Sequence, residues 1–156
     1  MNPAACHDIA DLRAAARRRL PRGLFDYVDR GCDDDTGLAN NRAAFEKIRF
    51  APRVLAEVAE RTLQATVLGR TQEMPLAIAP MSPAGLLWFE GERELAAAAA
   101  AAGIPFTLAT ESMTALETIA SEIGGTLWFQ LYIWTERRLS WQLVESPRAP
   151  AIPRCW

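Results

Sequence analysis

The sequence is poor in the residues that most often build metal and proton-transfer sites. Among 156 residues it has one histidine, His7, and one lysine, Lys47. Its three cysteines form no CxxC pair, and their scattered positions match no zinc-binding spacing. We therefore predict no metal site. The odd number of separated cysteines favours reduced thiols, and with them a cytoplasmic protein.

Long apolar runs and an excess of basic charge are also missing. The longest apolar run, residues 95–102, is rich in alanine and much shorter than the roughly 20 residues that a membrane-spanning helix needs. The first seven residues show no basic stretch followed by an apolar one, so no signal peptide is expected. Membrane attachment is expected to be peripheral at most. A net charge of −2 disfavours nucleic-acid binding by charge.

The composition that remains is typical of a folded globular protein. Hydrophobic residues make up 50% of the chain and charged residues 23%. The length corresponds to about one ordinary domain. It is too short for a complete (β/α)8 barrel, which needs roughly 250 residues.

The first 73 residues are predicted to form a helical segment with short covering strands. The acidic run at residues 33–35 could bind a hard cation, but it lacks the alternation of a calcium loop, so helix capping and solvation are favoured. The predicted helices are one capped by Asp8 and ending at Leu20, one over residues 23–30, and one starting at Asp35 or Thr36. The predicted strands cover residues 48–55 and 63–68.

From residue 74 the pattern changes to alternating strands and helices. Short apolar runs are typical of strands buried on both faces of a parallel sheet, and the order β-α-β-α-β-α predicts right-handed crossovers. Thr114 and Glu117 have the spacing of a capping box. No GxGxxG follows the first strand, which disfavours a dinucleotide-binding fold. The predicted strands are 75–80, 104–109 and 127–132, and the predicted helices are 92–102, 114–123 and 136–145.

Residues 146–156 do not continue this alternation. Pro147, Pro150 and Pro153 recur at every third position. A PxxP ligand is one interpretation of this segment. A foreign or out-of-frame terminus is favoured, because the parallel sheet is abandoned with too few strands to cover itself. We refer to it as an aberrant proline-rich tail.

Six blocks in a fixed order carry a family resemblance that spans residues 8–145. Each block is modest alone, but the order and spacing together are specific. They are LFDYVDRG (24–31), NNRAAF (40–45), PRVL (52–55), MPLAIAP (74–80), AAGIPF (101–106) and LWFQLY (127–132). With these blocks the chain resembles the FMN-dependent α-hydroxy-acid dehydrogenases and oxidases, the family of glycolate oxidase, L-lactate dehydrogenase and mandelate dehydrogenase.

The resemblance implies a fold and a reaction. The fold is a (β/α)8 TIM barrel preceded by a helical segment, with FMN at the carboxyl ends of the strands. Residues 1–73 would be the helical segment and residues 74–145 the first three βα units of the barrel. The reaction is the oxidation of an L-2-hydroxy acid of the lactate, mandelate or glycolate class to a 2-oxo acid.

The resemblance also implies roles for particular residues around the flavin. Pro80, Met81 and Ser82 would hold the flavin ring through backbone groups, although Met81 and Ser82 depart from the Pro-Thr-Gly or Pro-Thr-Ala pattern of the family. Ala109 stands where the family usually has a serine that contacts FMN. Gln130 would form a hydrogen bond with the pyrimidine edge of the flavin.

Two tyrosines would bind the substrate: Tyr27 would contact its carboxylate, and Tyr132 would also contact the substrate. Tyr132 lies two residues after Gln130, so the two side chains point to the same side of a strand. For Tyr27, spacing alone favours a ring in the core of an amphipathic helix, and only the surrounding motif favours the substrate contact. Glu111 would either repel an anionic substrate or point into solvent, and the sequence leaves both open.

No catalytic residue is predicted in this chain. In the family, the histidine, lysine, arginine and aspartate that act on the substrate lie in later barrel units, and neither His7 nor Lys47 matches a motif position. We expect the chain to be inactive alone and not to form the family-typical homo-oligomer. Two alternatives stay open. One is a non-enzymatic module that pairs with a homologous barrel through its open edge, and the other is a flavin barrel of the isopentenyl-diphosphate isomerase type.

Overall fold

The computed structural model describes residues 5–145, which form two compact units. The first unit extends to Ala59 and the second begins at Glu60. The proline-rich tail, with the two interpretations given for it, lies outside the described residues.

Three helices make up the N-terminal unit, and all three were predicted. They are α1 (Ile9–Arg19), α2 (Arg22–Asp29) and α3 (Thr36–Glu46). Asp8 caps α1, since its Oδ1 accepts a hydrogen bond of 2.8 Å from the backbone N–H of Asp11. Phe25 on α2 is the buried aromatic residue of this unit.

A bidentate ion pair joins α1 to α2. The guanidinium of Arg13 donates to both carboxylate oxygens of Asp29, with Nε–Oδ1 at 2.5 Å and Nη2–Oδ2 at 2.7 Å. This hydrogen bond lowers the pKa of Asp29 below its ordinary value, while partial desolvation opposes the shift. The charge of Asp29 is therefore used to hold two helices together.

The acidic run organises the turn that leads into α3. Asp34 Oδ1 accepts hydrogen bonds from the hydroxyl of Thr36 at 2.7 Å and from its backbone N–H at 3.3 Å, and Asp35 Oδ1 accepts one from the N–H of Gly31 at 2.8 Å. The bond from the Thr36 hydroxyl lowers the pKa of Asp34. Asp35 takes the cap position of α3 but makes no side-chain cap hydrogen bond, so the predicted capping role is wrong for Asp35 and holds only for Asp34, which accepts from the first N–H of the helix.

The strand predicted over residues 48–55 is wrong. These residues form no strand, and the side chains of Phe50 and Leu55 are fully exposed. Val and Leu residues favour strands only when a neighbouring strand and a packed face are available, and Pro52 lacks a backbone donor. Strand propensity alone therefore did not decide the structure of this segment.

A β-hairpin opens the second unit. Strands β1 (Ala65–Val67) and β2 (Arg70–Gln72) pair antiparallel, with Val67 opposite Arg70. Leu68 and Gly69 connect them with φ of 50° and 75°, as a type I′ turn requires. The strand predicted at 63–68 is confirmed in its second half, whereas β2 was not predicted. The hairpin was predicted to belong to the helical segment of residues 1–73, whereas its contacts place it in the second unit.

A parallel sheet forms the centre of the second unit. Strands β3 (Phe106–Ala109) and β4 (Leu127–Gln130) pair in register from Phe106 opposite Leu127 to Ala109 opposite Gln130. The predicted parallel pairing of these two strands is confirmed.

The first predicted strand, residues 75–80, is reduced to a bridge. Ile78 pairs parallel with Phe106, donating to Pro105 O at 2.9 Å and accepting from Thr107 N–H at 3.0 Å. The continuous buried strand was a wrong prediction, since Leu76 is 56% exposed. Prolines at both ends of the run supply no N–H, and the N–H of Leu76 is used within a turn by Met74 O, so few donors remain for a ladder.

The described residues of this unit include four helices, namely α4 (Ala84–Leu87), α5 (Gly91–Ala102), α6 (Leu116–Glu122) and α7 (Arg137–Glu145). Of these, α5 contacts β3 and α6 contributes Ile119 to the core. Gly103, with φ of 64°, ends α5 as predicted. The short α4 was not predicted. The core between helices and sheet consists of Ala96, Ala99, Ile104, Phe106, Leu108, Ile119 and Leu127.

The capping box predicted at Thr114 is wrong. Helix α6 starts two residues later, at Leu116, with Ala115 in the cap position and no side-chain cap. Thr114 is held instead by Ser112, whose Oγ accepts from the Thr114 N–H at 3.1 Å and donates to Thr114 O at 3.0 Å. The hydrogen bonds between Ser112 and Thr114 form a local turn in place of the predicted first turn of the helix.

The described residues thus form an α/β fragment with few strands, consistent with part of a barrel. Strands and helices alternate from Ile78 onward, as predicted. Within residues 5–145, no helix has both the length and the apolar character that crossing a bilayer requires.

Candidate functional site

One edge of the parallel sheet gathers most of the residues that the resemblance singled out. The segments that follow the Ile78 bridge, β3 and β4 all emerge at the carboxyl ends of their strands, because the strands are parallel. Ala109 lies opposite Gln130 as the last pair of the ladder. The site is therefore built from residues 80–82, 109–111 and 130–132.

Thr110 connects two of these three segments. Its hydroxyl donates to the backbone oxygen of Gln130 at 2.5 Å and accepts from the backbone N–H of Tyr132 at 2.9 Å. Its own N–H donates to the side-chain Oε1 of Gln130 at 3.2 Å. The side chain of Thr110 thus extends the pairing of β3 and β4 beyond the end of the ladder.

These bonds determine which end of the Gln130 amide is available to a ligand. A backbone N–H is only a donor, so the group that faces Thr110 must be the amide oxygen. The NH2 group of Gln130 is the part of the side chain left to donate elsewhere. Gln130 is half-buried, which limits the competition from water for that donor.

Ser82 connects the remaining segment to the same edge. Its Oγ donates to the backbone oxygen of Glu111, across the loops that follow the bridge and β3. Pro80 and Met81, which come just before Ser82, are exposed residues. Glu111 is exposed as well, which favours the solvent-facing alternative left open for its side chain.

Ala109 and Tyr132 differ in how much they present to solvent. Ala109 is buried at the end of β3, where its methyl group contributes no polar contact. Tyr132 is 55% exposed, while its backbone is held by Thr110. The tyrosine therefore has a fixed backbone and an accessible ring.

A buried carboxylate that was not predicted from the sequence contacts the loop that follows β3. Glu92, at the start of α5, is 1% exposed, and its Oε1 accepts from the N–H of Met113 at 3.3 Å. A Cβ placed on Gly85 would lie 3.0 Å from its other oxygen. Glu92 thus contacts the loop that continues from residues 109–111.

Thr110, like Glu92, was not predicted from the sequence. Glu92 and Thr110 are common residue types, and the side chain of each forms hydrogen bonds with backbone groups that are distant in the sequence. The signals that could have found them are a hydroxyl directly after a buried strand and an acidic residue in the first turn of an apolar helix.

Tyr27 belongs to the N-terminal unit. It lies on α2, and its side chain is 71% exposed. The core alternative for its ring does not hold within that unit, where Phe25 is the buried aromatic residue. Its predicted contact with the substrate carboxylate stays a prediction.

Known proteins with the same sequence pattern are numerous, and three illustrate the likeness. Residues 16–153 match the profile of the family described as FMN-dependent dehydrogenase. The chain is 44% identical over 126 residues to (S)-mandelate dehydrogenase of Pseudomonas putida, covering 81% of this chain and 32% of that protein. It is 43% identical over 142 residues to a putative L-lactate dehydrogenase of Mycobacterium tuberculosis, covering 90% of this chain and 34% of that protein.

The likeness extends to the fold. A solved (S)-mandelate dehydrogenase, described as a monotopic membrane protein, superimposes with a TM-score of 0.86 at 41% identity, covering 93% of this chain and 38% of that one. The chain spans about a third of the length of the curated relatives it matches. Because the family profile matches most of the chain, the chain belongs to the FMN-dependent dehydrogenase family, whose cofactor is FMN.

Proposed function

We propose that this chain supplies the flavin-facing first part of an enzyme that oxidises an L-2-hydroxy acid of the lactate, mandelate or glycolate class to a 2-oxo acid. In this proposal Ile78, β3 and β4 occupy the first three strand positions of a (β/α)8 barrel, and the helices α1–α3 and the β1–β2 hairpin precede them in the chain. The observation that carries the proposal is the hydrogen-bonded edge formed by residues 80–82, 109–111 and 130–132.

The residues at this edge suit a flavin. The pyrimidine side of the isoalloxazine ring carries carbonyl oxygens, which accept hydrogen bonds, and the Gln130 amide has its NH2 group left to donate. Ala109 adds no bulk beyond its methyl group, and Pro80 and Met81 are exposed residues. When bound, FMN would supply the acceptor for the two electrons that leave the hydroxy acid.

The substrate would meet the tyrosines. A phenol hydroxyl donates a hydrogen bond to a carboxylate oxygen, and a bond to a charged acceptor is stronger than one between neutral groups. Tyr132 has an accessible ring on a fixed backbone, so we assign it a contact with the substrate. Tyr27 keeps the role implied by its motif, a hydrogen bond to the substrate carboxylate. Both roles follow from the motif positions of the family.

The proposal includes no turnover by these 156 residues alone. Oxidation of a hydroxy acid needs a base for its proton and a cation for its carboxylate, and each is worth orders of magnitude in rate. His7 precedes α1 and Lys47 follows α3, and neither belongs to the sheet edge described above. Those functions would come from further barrel units.

A second candidate is a non-enzymatic module that pairs with a homologous barrel. One observation favours it, since among the described residues β4 pairs with β3 and has no strand on its other side. Co-purification with a full-length relative, with no gain in turnover, would distinguish it from the first proposal.

The main test is a fusion barrel. It joins residues 1–145 of this chain to the part of the Pseudomonas putida (S)-mandelate dehydrogenase that lies beyond the matched region. We expect the purified fusion to contain FMN, seen in its visible absorbance, and to oxidise mandelate or lactate with a dye as electron acceptor. A folded fusion without flavin would overturn the proposal.

Paired variants of the fusion locate the effect. Gln130→Ala is expected to lower FMN content, whereas Gln142→Ala, at an exposed glutamine on α7, is expected to leave it unchanged. The unfused chain is assayed in parallel, and turnover of either acid by it would contradict the predicted inactivity. Cytoplasmic location, at most peripheral membrane attachment and the lack of a homo-oligomer stay predictions.

A further inference from the structure

We propose that Thr110 is a positioning residue that sets the hydrogen-bonding polarity of Gln130 toward the cofactor and fixes the backbone of Tyr132 toward the substrate. The inference rests on the proposed function, because it assigns Thr110 a task in the same site. Nothing in the family motifs used above includes this residue. It follows from three hydrogen bonds that converge on one side chain and its backbone N–H.

The hydroxyl of Thr110 has its bonding directions largely used. A threonine hydroxyl has one donor and two acceptor positions. The donor goes to Gln130 O at 2.5 Å, and one acceptor position receives the Tyr132 N–H at 2.9 Å. These two bonds fix the rotation of the hydroxyl. They also hold the backbone on both sides of Leu131, just past the end of β4.

The backbone N–H of Thr110 then sets the orientation of the Gln130 amide. With Oε1 bound to that N–H at 3.2 Å, the reverse orientation would bring two donors together. Gln130 therefore presents a donor to its ligand. A donor recognises a carbonyl oxygen of the flavin pyrimidine edge and is a poor partner for the ring N–H beside it.

One residue thus couples the two sides of the site. Without the hydroxyl, the Tyr132 N–H loses its partner and the Gln130 backbone oxygen loses its donor. Both strand ends would then gain freedom, and a small misplacement of binding groups costs binding and rate. We expect substitution of Thr110 to act on cofactor affinity and on substrate affinity together.

The first experiment measures FMN affinity by quenching of flavin fluorescence, on the whole chain and on the fusion barrel. Thr110→Val keeps the shape and removes the hydroxyl, and we expect it to weaken FMN binding about tenfold. Thr110→Ser restores the hydroxyl and is expected to return affinity to within about twofold of the original. The matched control is Thr107→Val on the same strand, where we expect no change beyond about twofold.

The second experiment needs no substitution. FMN analogues in which a pyrimidine carbonyl oxygen is replaced by sulfur offer a weaker acceptor. We expect one of them to bind more weakly than FMN to the original protein, and we expect this difference to shrink in Gln130→Ala. Equal affinity for FMN and for every such analogue would overturn the assigned polarity, even where Thr110→Val does not fold.

A third measurement separates this inference from the proposed function. Amide hydrogen exchange on the chain without flavin is expected to show protection at Tyr132, relative to Ile133, that disappears in Thr110→Val and returns in Thr110→Ser. Exchange at Tyr132 as fast as at Ile133 would overturn the positioning role. Protection at Tyr132 together with a folded fusion barrel that binds no FMN would instead refute the proposed function and leave the backbone role of Thr110 supported.

Discussion

Replacing Glu92 tests whether a buried carboxylate holds the loop behind the sheet edge. Glu92 is 1% exposed and accepts a hydrogen bond from the Met113 N–H at 3.3 Å. Glu92→Ala removes the acceptor and leaves space in a packed region. A buried donor left without its partner costs about 1–3 kcal/mol, so we expect the free energy of unfolding to fall by about that amount.

Two further variants separate the acceptor from the charge. Glu92→Gln keeps an amide oxygen that can accept from Met113 and loses only the negative charge in the first turn of α5, which is worth about 0.3–1 kcal/mol. Glu94→Ala removes an exposed carboxylate from the same turn, and we expect a change within about 0.5 kcal/mol. The expected order of damage is Glu92→Ala, then Glu92→Gln, then Glu94→Ala.

The assay is urea unfolding followed by tryptophan fluorescence, with Trp128 on β4 as an internal probe. Because the urea dependence is typically about 1–3 kcal/mol per M, Glu92→Ala should lower the midpoint by roughly 1 M at an unchanged slope. A midpoint equal to that of Glu94→Ala would refute the acceptor role. Equal damage from Glu92→Gln and Glu92→Ala would show that the charge matters and the acceptor does not.

Three other predictions follow from particular contacts. The pKa of Asp29 is lower in the folded chain than its ordinary value of 3.8, so its ion pair with Arg13 stabilises the N-terminal unit fully above that value. This stabilisation is lost as the pH falls through the lower folded pKa. Acid titration of helicity by circular dichroism should show the loss in the original chain and not in Asp29→Asn. Gly91→Ala should destabilise the second unit by about 1–3 kcal/mol in urea unfolding, because its Cβ would lie 2.6 Å from Ala84 O, and an unchanged midpoint would contradict the contact. Ile119→Ala, at a fully buried core position, should cost about 2–5 kcal/mol and Ile119→Val about 0.5–1.5 kcal/mol, whereas equal small losses would place this side chain outside the core.

Much of the local structure was predictable because its causes are local. Asp8 caps the start of α1 with its side chain, and Gly103 ends α5 because it adopts a positive φ. Both helix ends were located correctly. Where a rule based on local sequence failed, the group concerned forms a different hydrogen bond. Thr114 bonds to Ser112 and does not cap α6, and Leu76 uses its N–H in a turn and not in a ladder.

The candidate site was predictable to the level of strand ends and no further. Gln130 was placed correctly as the end of a strand, whereas Tyr132, predicted two positions along the same strand, lies past the end of β4, so strand alternation does not apply to it. Which amide atom of Gln130 faces outward depends on Thr110, which lies twenty residues earlier in the chain. No periodicity or motif contains that bond, because it arises only when β3 and β4 pair in one register.

The amino-acid sequence by itself determined the main helices, the two strands β3 and β4, the family and the residue types offered at the strand ends, because apolar periodicity, capping and motif spacing are properties of neighbouring residues. Tertiary structure alone decided which polar atoms meet. Pairing of parallel strands brings distant backbone groups within hydrogen-bond reach, and burial then makes each of those partners costly to lose. Thr110 and Glu92 acquire their importance in this way.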